Sequence, residues 1–313
     1  MLLRQILDVF DLLDRADASG TIVEEYMKTL GAENVEVMTI EEEDGKTDMI
    51  RVTIPGTKGK IAGGDAPTIG ILGRLGGLGA RPERIGFVSD GDGALVALAV
   101  AAKLLDMKKM GDSLEGDVVV CTHICPDAPT SPHKPVSFMG SPIDMPTVNR
   151  HEVNGSLDAI LSVDTTKGNR IVNKRGFAIS PTVKSGYILR VSEDLLEIMQ
   201  TTTGQLPCVF AVTTQDITPY GNKAYHLNSI LQPATATDAP VVGVAIVTET
   251  PVAGCATGAT HGIDLEEAAR FIVEVAKAFG RGECAFYDED EYKNLVSRYG
   301  ELKQLQTLGR GVC

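Results

Sequence analysis

Apolar residues recur at helical spacing in several segments of the chain. LLRQILDVFDLLD predicts an amphipathic N-terminal helix, and SGTIVEEYMKTLGA predicts a second helix with Ser19 as its N-cap. EDLLEIMQTT predicts another. DLEEAARFIVEVAKAFG begins with Asp264 and Glu267 at capping-box spacing and stops at Gly280, so it predicts a long helix. The apolar run after Asp92 predicts a helix that is buried on most sides.

Runs of strand length alternate with these helices. VEVMTI and DMIRVTIP flank a charged turn and predict a hairpin at a sheet edge. Continuous apolar runs, typical of strands covered on both faces, occur in APTIGILG, GDVVVCTH, LDAILSVD and APVVGVAIV; YILRVS and LPCVFAVTT also predict strands. The alternation predicts an α/β fold with three layers, α/β/α, around a mixed but mostly parallel central sheet.

The Pro-rich segment CPDAPTSPHKPVSFMGSPIDMP interrupts this alternation. So many prolines are incompatible with a helix or a central strand, so the segment predicts a long irregular loop, a type of segment that often carries function. Residues 1–280 are expected to form a single α/β domain. Residues 281–313 are charged and predict a peripheral helix or tail.

Composition narrows the class of protein. The 313 residues carry a net charge of −13 without a Lys/Arg cluster, which argues against nucleic acid or an anionic membrane as partner. No run reaches the roughly 20 apolar residues of a spanning helix, and the N-terminus does not resemble a signal peptide. The six cysteines form no CxxC pair, so we expect free thiols in a reducing cytoplasm.

Polar residues follow the predicted parallel strands, whose carboxyl ends meet at one edge of a sheet where ligands bind. Imidazole and carboxylate groups from separate loops are the ligands of divalent metals, so this edge predicts a metal site. The residues are Arg74, His123 and Asp164 at strand ends, Asp90 and Asp92 before the buried helix, and His261 before the last helix.

Each of these residues also has a structural interpretation. Asp90 and Asp92 could cap the helix that follows them, and Asp164 could form an Asx-turn with Thr166. A single histidine is more often structural than a ligand. The metal hypothesis therefore depends on the residues meeting at one edge.

The sequence resembles a known family over Ile69 to Gly280. Seven segments follow one another in the order seen in the co-catalytic zinc exopeptidases. They are VSDGDGALVALAVAAKLL, GDVVVCTH, LDAILSVDTT, ISPTVKSGYI, TTQD, APVVGVAIVTE and ATHGIDLEEAARFIVEVAKAF. The glutamyl/deblocking aminopeptidases, which form tetrahedral cages, are the most similar branch, and the chain resembles a subfamily with a domain of unknown function. The resemblance implies the zinc-exopeptidase fold, with Asp90 as bridging metal ligand, Asp164 as second Asp ligand and His261 as last His ligand.

The sequence departs from that family at its other functional positions. Arg74-Leu75-Gly76 stands where the family has His-x-Asp, and Cys125-Pro126-Asp127 stands where it has the Glu-Glu pair that supplies the general base. The inserted dimerisation domain is missing, because only fifteen residues separate Arg74 from Asp90. A guanidinium cannot coordinate a metal. His123, Cys125, Asp127 and His133 are local replacements, of which His123 and Asp127 rank first.

Two functions compete on this evidence. The first is a metal-dependent hydrolase of amide bonds in small peptides or N-acyl amino acids. Its ion, zinc or else manganese or cobalt, would be held by Asp90, Asp164 and His261 with Asp92 in support; His123 or Asp127 would be the base, and Arg74 would bind a substrate carboxylate. The second is a non-catalytic descendant that binds a small anion in the same crevice.

A third hypothesis concerns GRLGGLGARPERIG, whose glycines could cradle a phosphate. The segment has neither GxGxxG nor a Gly-Lys-Ser/Thr ending, so it more simply lets the backbone pass close to the crevice. The partners expected are a small molecule or peptide and further copies of the chain, as a dimer or another closed homo-oligomer.

Overall fold

A computed structural model describes residues 1–82, 84–132, 138–153, 156–166, 168–212, 227–252 and 258–306. The helices are α1 (Leu3–Leu13), α2 (Gly20–Thr29), α3 (Asp92–Lys109), α4 (Met145–Glu152), α5 (Glu193–Thr203), α6 (Gly262–Gly280) and α7 (Glu289–Tyr299). The strands are β1 (Asn34–Glu42), β2 (Gly45–Ile54), β3 (Ile69–Gly73), β4 (Val118–Ile124), β5 (Thr130–Ser131), β6 (Phe138–Met139), β7 (Ala159–Thr165), β8 (Gly176–Ile179), β9 (Val183–Lys184), β10 (Tyr187–Ile188) and β11 (Val241–Val247). Short 3-10 helices span Lys60–Ala62, Ser89–Gly91, Ser229–Thr235 and Lys303–Gln306.

Within these ranges, nine strands form one mixed sheet in the order β1-β2-β4-β3-β7-β11-β9-β10, with β8 paired to β11. Its centre, β4-β3-β7-β11, is parallel, whereas β1, β2, β8, β9 and β10 pair antiparallel. The predicted α/β class is therefore confirmed, and the parallel arrangement is confined to the four central strands.

The two faces of the central sheet are covered differently. Alternate strand residues such as Ile71, Val120 and Leu161 join the large apolar core with α1, α3, α5 and α6. The other set, which includes Leu72 and Cys121, lies under the shorter elements α4 and Ser229–Thr235. We call this second side the α4 face.

Several local predictions are confirmed, and their causes are visible. Ser19 caps α2 by accepting the Ile22 N–H, and the hairpin β1–β2 lies at a sheet edge as expected. Between Cys125 and Met145, the described residues contain only the two-residue strands β5 and β6, which pair with each other outside the main sheet. The Pro-rich loop is therefore irregular where it is described.

Two predictions about element boundaries are wrong. The last core helix begins at Gly262, so Asp264 lies inside its first turn, where it pairs with Arg175 and His261 and caps nothing. LPCVFAVTT forms, over its described part, only an isolated bridge between Val209 and Ile179. Tertiary contacts override the local pattern in both places.

The segment after residue 280 has two parts. Cys284 and Phe286 are buried in the large core, and the Thr182 hydroxyl donates to the Phe286 carbonyl. No side chain of α7 is buried in the described structure, which agrees with a peripheral helix.

Among the described residues, we find no helix with the length and apolar character that crossing a membrane requires.

The start of α3 lies directly on the carboxyl edge of the parallel strands. A Cβ on Gly93 would lie 1.9 Å from the Arg74 carbonyl oxygen and 2.5 Å from that of Val163. Only a residue without a side chain permits this approach, which places the residues before α3 beside the ends of β3 and β7.

We expect Gly93→Ala to lower the free energy of unfolding by about 3 kcal/mol, at the upper end of overpacking costs, because both neighbours of the new methyl group are backbone. Urea denaturation followed by circular dichroism measures this. Gly262→Ala, in the first turn of α6 with nearest atoms at 3.8 Å, is the matched control and should change stability by no more than about 1 kcal/mol. Equal stabilities of the two variants would contradict the close approach.

Candidate functional site

Three of the predicted site residues lie side by side at the carboxyl edge of the sheet. Leu72 pairs with Cys121 on β4 and with Ser162 on β7, and the Arg74 N–H continues the pairing by donating to the Val163 carbonyl at 2.7 Å. Because alternate residues share a face, Arg74, His123 and Asp164 are all placed on the α4 face. The prediction that these strand ends meet at one edge is confirmed in this respect.

Arg74 is buried, with 1% of its side chain exposed, and the described residues hold its guanidinium at the Nη1 end. Its Nη1 donates to the Asn149 side-chain oxygen at 2.8 Å and lies 3.1 Å from Oε2 of Glu152, whose side chain is fully buried. The Nε and Nη2 atoms have no hydrogen-bond partner among the described residues. These two atoms form the side edge of the guanidinium, which binds a carboxylate through two parallel hydrogen bonds.

The partners of Arg74 come from α4. Asp144 caps this helix by accepting the Thr147 N–H at 2.5 Å, and Pro146 occupies its first turn. Asn149 and Glu152 are three residues apart, so they share one face of the helix. Nη2 of Arg51, on β2, donates to the His151 carbonyl at 2.8 Å and brings a second guanidinium to the same cluster.

Glu152 is a buried carboxylate whose charged form is poorly stabilised in this cluster. Burial raises its pKa to about 7, although the nearby guanidinium groups of Arg74 and Arg51 lower it. Neither of its oxygens accepts a hydrogen bond from any residue that the structure describes. A buried carboxylate in that state is costly unless a donor reaches it.

Further buried polar atoms belong to elements of the α4 face. The following also lack a hydrogen-bond partner within the described ranges: Arg51 Nη1, Ser162 Oγ, Asn228 Oδ1 and Gln232 Nε2. Buried polar groups of folded proteins are nearly always paired, so such a concentration indicates a place that a polar ligand or water completes.

His123 is engaged on both ring nitrogens. Its Nε2 accepts the Gly76 N–H at 3.0 Å, so Nδ1 carries the proton and donates to the Thr47 hydroxyl at 2.9 Å. That hydroxyl donates in turn to the Ile124 carbonyl. Burial, together with the charge of Arg74, lowers the pKa of His123 to about 3. The ring is neutral with no free lone pair, and these contacts favour a structural role over the base or ligand expected from the sequence.

The two acids before α3 lie at the same edge. Asp90 belongs to the 3-10 helix Ser89–Gly91, which packs against β7, and it is partly exposed. Asp92 is buried at the first position of α3 and accepts the Thr260 hydroxyl at 2.7 Å. The N-cap position of α3 is Gly91, which has no side chain to cap the helix. Asp164, also buried, accepts the N–H of Thr165 at 2.7 Å.

His261 follows Thr260 and is therefore tied to the start of α3. Its side chain is 52% exposed, and its Nδ1 lies 3.3 Å from Oδ2 of Asp264. The edge thus brings Asp90, Asp92 and Asp164 together with the loop that carries His261.

Of the predicted replacements on the Pro-rich loop, Asp127 and Cys125 lie in the described part of the chain. Asp127 is 72% exposed and pairs with Arg81 at 3.0 Å on the surface. Cys125 is buried, and burial raises the pKa of its thiol to about 11, so it is protonated at neutral pH. His133 lies outside the described residues.

The residues present fit a metal ion only in part. No group of three His, Cys, Asp or Glu side chains in the described part of the chain is arranged to hold one. Arg74, next in register to Asp164, brings a positive charge to the same place. Metal ligation by Asp90, Asp92, Asp164 and His261 stays a prediction.

Sequence reasoning missed Arg51, Asn149 and Glu152. Arg51 lies in a strand whose alternation places it on the same face as the buried Met49, so its inward position was detectable. The capped segment DMPTVNRHE was a detectable helix start, but nothing local shows that its Asn and Glu face Arg74.

Glu152→Gln tests the electrostatic state of the cluster. The raised pKa means that the Glu152 contribution to stability is fully present below about pH 4.5 and is lost as the pH rises through about 7. The stability of the natural protein relative to Glu152→Gln should therefore fall over this range, with a slope of up to about 1.4 kcal/mol per pH unit. Urea denaturation at several pH values measures the slope. If the difference in the free energy of unfolding between the two proteins did not change with pH, the raised pKa of Glu152 would be contradicted.

Comparison with known proteins places the chain in a family without assigning an activity. No curated protein matches the sequence. Residues 38–309 match the family model described as a protein of unknown function, DUF1177, a range that includes every central strand and the Arg74–Glu152 cluster. Nothing in this match bears on the resemblance to zinc exopeptidases. Since the match spans most of its length, the chain belongs to the DUF1177 family.

Proposed function

We propose that this protein binds a small organic acid at the carboxyl edge of its central sheet, with Arg74 as the anchor for the carboxylate. The observation that carries the proposal is the side edge of the Arg74 guanidinium. Both of its donors are buried and have no hydrogen-bond partner in the part of the chain that the structure describes. A carboxylate would satisfy the two donors at once.

The surroundings of Arg74 support this role. Asn149 and Glu152 occupy its Nη1 end, so the guanidinium is held in one orientation before any ligand binds. Pre-organisation of this kind lowers the entropy cost of binding. The expectation that Arg74 binds a carboxylate remains in this proposal, and binding does not require the metal site.

A second candidate function is metal-dependent hydrolysis of amide bonds in small peptide-like or N-acyl amino acid substrates, on a zinc-exopeptidase fold. It is favoured by one observation: Asp90 and Asp92 lie where α3 starts, beside the end of β7, the strand that carries Asp164. Arg74 would serve the same purpose there, as the group that binds the substrate carboxylate. We derive no catalytic step, because the described residues do not form a complete ligand group.

The anchor role predicts that Arg74→Lys weakens binding of simple carboxylates by tenfold or more, since Lys keeps a charge beside Glu152 but loses the two parallel donors. The probes are propionate, glutarate and 3-phenylpropionate, measured by isothermal titration calorimetry on the full chain. Arg81→Lys is the matched control, because Arg81 pairs with Asp127 on the surface, and its affinities should not change. Binding of the three acids to Arg74→Lys as tightly as to the natural protein would refute the anchor role.

The second candidate predicts bound metal. Protein loaded with zinc, manganese or cobalt and then dialysed should retain about one ion per chain in elemental analysis, and Asp164→Ala should lose it. Asp127→Ala removes a carboxylate exposed on the surface and should retain the ion. Absence of retained metal under all three loading conditions would remove this candidate and leave the carboxylate-binding proposal untouched.

A further inference from the structure

The buried cluster around Arg74 offers binding groups of both signs. Nε and Nη2 of Arg74 and Nη1 of Arg51 are donors, and the two Glu152 oxygens are acceptors, none of them with a hydrogen-bond partner among the described residues. All five atoms are buried within one cluster that joins β2, the end of β3 and α4. A ligand that carries only a carboxylate satisfies the donors and leaves the acceptors as they are.

Glu152 is the group that such a ligand would leave incomplete. A carboxylate has lone pairs for about four hydrogen bonds, and neither oxygen of Glu152 accepts one in the described structure. Its ion pair to Nη1 of Arg74, the one that the described residues provide, does not replace the lost water, because burial still raises the pKa of Glu152 to about 7. A protonated amine, with three donors and a positive charge, is the group that restores what Glu152 lacks.

The charges of the cluster point the same way. Arg51 and Arg74 lie near Glu152, and Asp164 is next in register to Arg74, so the formal charges of these four side chains sum to zero. A dicarboxylate would place its second negative group beside Glu152, which like charges oppose. A ligand with one carboxylate and one ammonium group is neutral overall and keeps the cluster balanced.

We propose that the ligand of this site is an amino acid or a comparably small zwitterion, whose carboxylate binds the side edge of Arg74 and whose protonated amine binds Glu152. This inference rests on the proposed function, because it takes Arg74 as the carboxylate anchor, and it adds Glu152 as the residue that selects for an amine.

The test compares amino acids with the same acids lacking the amine. Alanine, glutamate and phenylalanine are paired with propionate, glutarate and 3-phenylpropionate, and each is titrated into the full-length natural protein and into Glu152→Gln by calorimetry. In at least one pair, the amino acid should bind the natural protein tenfold or more tightly than its partner acid, since an added charge-assisted hydrogen bond has about that effect. In Glu152→Gln the ratio within that pair should fall to about threefold or less, because the amine loses its charged partner.

The outcomes separate this inference from the proposed function. If the acids without an amine bind as tightly as the amino acids in all three pairs, the zwitterion assignment is overturned and the carboxylate anchor stands. If none of the six compounds binds the folded natural protein at millimolar concentration, the carboxylate anchor itself fails, and the inference with it. If Glu152→Gln does not fold, the three ratios measured on the natural protein still decide the assignment.

Discussion

The buried contact between Arg74 and α4 constrains the whole carboxyl edge of the sheet. A guanidinium inside a protein is costly unless carboxylate and amide groups surround it, and here Glu152 and Asn149 supply those groups from a single helical turn. The contact fixes where α4 lies over the sheet and in which direction the side edge of Arg74 points. Because Glu152 and Asn149 stabilise the buried charge of Arg74 at Nη1, its Nε and Nη2 donors are left to anchor the proposed ligand.

The two faces of the sheet differ in composition: one is an apolar core, and the other carries the buried polar residues of the candidate site. One face is buried under long helices and is apolar throughout its central strands. The α4 face is covered by shorter elements, and at its carboxyl edge it carries Arg51, Arg74, His123 and Asp164 in place of apolar side chains. His123 shows that polarity alone does not define a function, because its ring serves to join Gly76 to Thr47. Arg74 differs from His123, because two of its donors have no partner among the described residues and can bind a ligand.

The carboxyl edge combines two sets of residues that sequence reasoning treated as one. The segment that opens α3, with Asp90 and Asp92, lies beside the end of β7, which carries Asp164, as the strand-end argument anticipated. Asp127 was expected to join them, but its side chain lies on the surface, where it pairs with Arg81. The distance along the sequence from a strand end thus did not predict which side chains reach the crevice. Strand register and the close approach at Gly93 determined that instead.

Elements with a strong local pattern were predictable from the amino acids alone: the amphipathic helices, the buried α3, the apolar central strands and the edge to which their polar ends belong. They were predictable because helix and strand periods reflect burial directly. Long-range packing set three other features: α6 begins before its apparent capping box, both ring nitrogens of His123 are hydrogen-bonded, and Asn149 and Glu152 meet Arg74. Those outcomes depend on contacts between residues about 50 to 90 positions apart, and no local pattern of apolar and polar residues records which distant partner a polar side chain will find.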